Sequence, residues 1–118
     1  MSGYDIFRKA LELAGISGAD GSVSDEAPIL KRALTALHHV CIDLKMSPVN
    51  DLSQMISASE EKLDACMWGV AMLLASGEGD TAMANVCAAI YNGRRSAVLS
   101  GLVHIKDVLP VDNGGTLL

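Results

Sequence analysis

Aromatic side chains are almost missing from this chain: one Trp, two Tyr and one Phe among 118 residues. A core without rings must be filled by Ala, Leu, Val, Ile and the six Met, which suit close helix packing better than a pleated sheet. The composition therefore predicts an all-α fold. Charge is also sparse, at 19% against 50% hydrophobic residues, which excludes the low-hydrophobicity, high-charge pattern of disorder. Positive charge is in deficit, with a net charge of −5 and a pI near 4.9, and this disfavours a protein that works by gripping phosphate backbones. Cysteine is scarce and odd in number. Cys41, Cys66 and Cys87 have no CxxC spacing and fall among apolar neighbours, so they read as buried small hydrophobes in a reducing compartment, not as a disulfide framework or metal site. No apolar run approaches the ~20 residues of a membrane span, and the N-terminus carries charge where a signal peptide is apolar. The chain is expected to be made in the cytoplasm.

What is present is a single domain's length organised as helices. Residues 4–14 place Ile6, Ala10, Leu13 and Ala14 on one face, and Gly15 follows as a stop. Residues 17–24 are loop by composition, with Ser24 or Asp25 as N-cap of a second helix that accepts Pro28 in its first turn. That helix is expected to run to about Lys45. Leu30, Ala33, Leu37, Val40 and Leu44 step by three and four along it as one continuous seam. Pro48, Asn50 and Asp51 then require a turn, and residues 52–56 read as a short extended piece. Ser57 with Glu60 forms a capping-box pattern for the third helix, with Ser59 as the alternative cap.

The third helix, residues 60–76, starts as an ordinary amphipath. From Ala65 to Ala75 it carries no polar side chain. A helix that is apolar all round has to be covered all round. Gly77 and Gly79 break it, and Asp80 caps a fourth helix from Thr81 to Arg95 or beyond. On a helical wheel that fourth helix leaves only a narrow polar strip around Thr81, Asn85 and Asn92. Two consecutive helices without a polar flank imply that neighbouring subunits cover what one copy cannot. The expected organisation is a small four-helix bundle over residues 1–101 and an extended C-terminal arm over 102–118, the arm being rich in β-branched residues up to Pro110. A strand-like segment with no sheet of its own either lies along the helices or pairs with a partner, and Ile105, Val108 and Leu109 are its candidate docking side chains.

Candidate chemistry is thin. His38, His39, Cys41 and Asp43 are the nearest approach to a metal cluster, but zinc needs three or four convergent ligands and no second motif supplies them. There is no Gly-x-Ser-x-Gly elbow, and the Gly-Glu-Gly-Asp loop at 77–80 carries acid where a P-loop holds phosphate. The expectation is a non-enzymatic protein without cofactor or metal. Arg94 and Arg95 are the one pair of adjacent arginines. They read as a solvated helix end, or as groups meeting a partner's carboxylates or passing phosphates. Trp68, with Met72 one turn on, is either a core plug or an interface anchor.

The order of parts resembles the helical head-to-tail connector, or adaptor, proteins of tailed bacteriophages. The likeness rests on residues 66–80, an apolar helix ending in small residues and Gly-Asp, and on residues 88–95, Ala-Ala-Ile-Tyr-Asn-Gly-Arg-Arg. The resemblance implies a homo-oligomeric ring of about twelve subunits in the virion neck. Such a ring sits below the portal protein, extends the DNA channel and meets a tail or stopper protein. An acidic wall would let DNA pass without adhering. Trp68, Met72, Arg94, Arg95, Ile105, Val108 and Leu109 are then the expected subunit or portal interface. Two other classes stay open on the residues alone: a small helical dimeric regulatory or interaction protein, and a ligand- or metal-binding helical enzyme.

Overall fold

A Ser-x-x-Asp box begins the first helix. In the computed structural model, which describes residues 1–16 and 28–108 and side chains as far as Ser100, α1 spans Gly3–Ala14. The Ser2 hydroxyl accepts from the Asp5 N–H, and the Asp5 carboxylate accepts from the Ser2 N–H at 2.9 Å, so two orphan donors are satisfied reciprocally. Gly15 ends the helix with φ 68°, a left-handed position that costs glycine nothing. Helix α2 is described over Pro28–Asp43; its expected caps, Ser24 and Asp25, lie outside the described residues. Helix α3 spans Glu60–Gly77 and is capped by Ser59, whose hydroxyl accepts from the Lys62 N–H, so the alternative cap is the one used. Helix α4 spans Thr81–Val108, and Asp80 caps it through the Met83 N–H at 3.1 Å.

The all-α reading holds: four helices and no strand among the described residues. The extended piece expected at 52–56 is reduced to a single antiparallel bridge, Ser2 to Met55, flanked by Ile56 N–H to Met1 O at 2.7 Å and Gly3 N–H to Gln54 O at 3.1 Å. It clasps the start of α1. Gly3 is required there, because a Cβ would stand 2.7 Å from the Leu52 carbonyl oxygen.

The C-terminal part is corrected in one respect. Helix α4 continues unbroken through residues 102–108, across the boundary at 101 where the arm was expected to begin. Helical hydrogen bonds are local, so β-branched residues such as Val103 and Ile105 are carried along at a small propensity cost once the helix is nucleated on the bundle. The remainder of the arm, 109–118, lies outside the described residues.

Helix α3 is the hub, packing against α1, α2 and α4. Its Ala65, Cys66, Gly69, Val70, Ala71, Leu74 and Ala75 are buried. Much of the all-round apolar character that implied outside cover is thus covered by its own chain. The seam of α2 behaves as its spacing predicts, with Leu30, Ala33, Leu37, Val40 and Leu44 all buried.

The tightest packing is at Gly69. A Cβ there would lie 2.7 Å from Tyr91 Cε1 of α4 and 2.9 Å from Val40 Cγ1 of α2, so three helices meet over one hydrogen atom. Gly93 on α4 is the opposite case, since a Cβ would meet nothing within 4 Å. The same substitution therefore has opposite signs at the two sites. Gly69→Ala is expected to destabilise by about 1–3 kcal/mol through overpacking. Gly93→Ala is expected to stabilise by up to about 1 kcal/mol through helix propensity. Chemical denaturation of both variants under conditions where the chain is monomeric checks the pair, and equal signs would refute the packing account.

Candidate assembly surface

Helices α3 and α4 form an antiparallel hairpin about the turn at Glu78 and Gly79, with Tyr91 across from Gly69 and Arg94 across from Asp64. By that pairing Glu60 is level with about Val98, a side chain that packs on the core. Residues 99–108 of α4 run past the start of α3, about 15 Å of helix at 1.5 Å per residue.

The inward side of α4 is set by Cys87 and Tyr91, both buried, with Met83, Ala84 and Val98 packed against the core. Its outward flank carries Ala82, Val86, Ala89, Gly93 and Ala97, all exposed and within about 80° of one another on the wheel. Val86 is 54% exposed and is the single large exposed hydrophobe on the described part of this helix. Between Asp80 and Arg94 the helix has no charged residue. The polar strip expected around Thr81, Asn85 and Asn92 is exposed too, so the outward side is polar along one edge and small and apolar along the other.

The expected interface residues are placed differently from one another. Trp68 and Met72 on α3 are half-buried against the core, between plug and anchor. Arg94 and Arg95 find carboxylates in their own chain: Arg94 Nε donates to Asp64 at 2.7 Å, and Arg95 Nε to Asp43 at 2.7 Å. Ile105 and Val108 stand on α4 beyond the described side chains, and Leu109 lies outside the described residues. The surface that sequence reading passed over is on α2 and α3. There Lys31, Arg32, Thr35, Ala36, His39 and the 37% exposed Leu73 line a groove of about 350 Å³. Nothing in the sequence marks it, since Leu73 is one leucine within an unbroken apolar run.

Asp43, at the end of α2, ties the hairpin down. It accepts from the buried Tyr91 hydroxyl as well as from Arg95. The Arg95 hydrogen bond first, and the Tyr91 hydrogen bond second, hold the Asp43 carboxyl below its ordinary value. Burial and the bond to Asp43 push the Tyr91 phenol up, so it remains a donor. The ion pair is about two-fifths exposed on both sides, which limits it to the small net worth of surface pairs.

The Cys41–Cys66 hydrogen bond lowers the Cys41 thiol and, with burial, pushes the Cys66 thiol up, and burial pushes up that of Cys87; all three cysteines are free and buried. His38 turns its Nδ1 to the Val49 carbonyl at 3.1 Å, and no three His, Cys, Asp or Glu among the described residues group in a way that could hold a metal. No helix among the described residues is long and apolar enough to cross a membrane. No protein-family model, curated protein or solved structure matches this chain.

Because the folded pKa of Asp43 lies below its unfolded value of about 3.9, its stabilisation is present above that pH and is lost as pH falls through the folded value. Asp43→Asn should lower stability at pH 7 by roughly 1 kcal/mol, the loss of a charged hydrogen-bond acceptor at a part-exposed site. The deficit should shrink below about pH 4. Denaturation midpoints from pH 7 to pH 2 measure this, and a constant deficit would show that the carboxylate charge is irrelevant.

Proposed function

We propose that this protein is a structural subunit of a tailed-bacteriophage neck, a head-tail adaptor. Copies associate into a ring below the portal, extend the DNA channel and join the capsid to the tail or stopper. The observation that carries the reading is the outward flank of α4, with Val86 exposed in a stripe of Ala and Gly that lets a second helix come close. Residues 99–108 also carry α4 past the start of α3, lengthening the helix that bears this flank. The mechanism is mechanical. Packing between copies supplies the ring's stability, and the chain's net charge of −5 favours a wall that repels a passing phosphate backbone.

Negative-stain images and sedimentation of the full chain, alone and with portal rings, test this. The expected result is a ring with a central opening. Val86→Glu is expected to abolish it while shifting monomer stability by no more than about 0.5 kcal/mol, since the site is exposed. One low-order dimer at every concentration, unchanged by portal, would instead identify a small helical regulatory or interaction protein and end the ring proposal.

A further inference from the structure

The α2–α3 groove has a definite character. Leu73 and Ala36 form an apolar wall, Lys31 and Arg32 a positive edge, and Thr35 and His39 the remaining lining. Arg32 is paired with Glu78, and Lys31 stands beside it on the groove's edge as a second cation for an incoming carboxylate. A volume of about 350 Å³ accommodates a few side chains and not a folded element. The segment 109–118 of this same chain, Leu-Pro-Val-Asp-Asn-Gly-Gly-Thr-Leu-Leu, has the complementary chemistry: Asp112 is its one charged side chain, and Leu117 and Leu118 follow after a Gly pair.

Reach decides whose groove it fills. By the hairpin pairing Leu73 is level with residues 85–87 of α4, so Val108 stands roughly 32–34 Å farther along the helix axis. Nine residues lead from Val108 to Leu117 and ten to Leu118, at most about 32–36 Å when fully stretched, with the turn back and the crossing of α3 still to be made. The axial distance alone takes up the whole arm, which favours a neighbour's groove over its own.

We propose that the 109–118 arm of one copy seats in the α2–α3 groove of a neighbouring copy, Leu117 and Leu118 against Leu73 and Ala36 and Asp112 at Lys31. The proposal deepens the assembly reading and rests on its premise that copies of this chain meet. It assigns the groove as the acceptor and the arm as the donor of a head-to-tail contact, the kind that propagates around a ring.

The test uses the full chain and a short bis-maleimide cross-linker. The native thiols of Cys41, Cys66 and Cys87 are buried and stay silent. Chains carrying Leu73→Cys are mixed with chains carrying Leu117→Cys; Leu73 is partly exposed, so its replacement leaves the fold intact. A cross-linked pair between the two chains is expected, falling at least tenfold when the Leu73→Cys chain also carries Lys31→Glu and returning when the partner carries Asp112→Lys. A single chain with both cysteines that links to itself, or a mixture that yields no linked pair, overturns the proposal. The ring reading is judged separately by imaging the wild-type chain. Rings without this cross-link sink only the arm assignment, and linked pairs without rings sink only the neck proposal.

Discussion

The fold turns on the absence of a side chain at Gly69. With no Cβ there, the Tyr91 ring lies directly on the α3 backbone, beside Val40 of α2, and its hydroxyl arrives at Asp43. Contact of this closeness fixes the rotation of α4 about its own axis. Once Tyr91 and Cys87 face inward, Ala82, Val86, Ala89, Gly93 and Ala97 have to face outward, a consequence of 100° per residue. The exposed flank is thus an outcome of the same geometry that closes the core, and the carboxylates on α2 and α3 that engage Arg95 and Arg94 hold it in that orientation.

Helix α3 shows how an almost wholly apolar helix is accommodated in a small domain. Surrounded by α1, α2 and α4, it buries Ala65, Cys66, Gly69, Ala71 and Ala75 alongside only two larger side chains, Val70 and Leu74. Large side chains on every face would have pushed the three neighbours apart. Trp68 and Met72 occupy the flank where no helix closes over them completely.

Helix boundaries and the α2 seam were legible because local chemistry dictates them: Gly15 and Asp80 act at short range, and the spacing of Leu30, Ala33, Leu37, Val40 and Leu44 is itself the buried stripe. What required the structure was tertiary. Apolar content alone could not tell that α3 is sheltered within its own chain while α4 is not, since both runs read alike. Nor could it show that Arg94 and Arg95 are committed to Asp64 and Asp43, residues 30 and 52 positions away. Residues 102–108 misled because β-branched composition was weighed without the bundle from which the helix grows. The α2–α3 groove was invisible for a related reason: its lining comes from two helices whose juxtaposition no periodicity encodes.

The uncharged stretch of α4 between Asp80 and Arg94 has a thermodynamic consequence. Association through that flank would remove apolar surface without displacing counterions, so it should be nearly indifferent to ionic strength and should weaken on cooling, with a negative heat-capacity change. A contact made at Lys31 obeys other rules, being screened over about 10 Å at 0.1 M salt. The two faces of this small bundle thus answer to different solvent variables, temperature for one and electrolyte for the other.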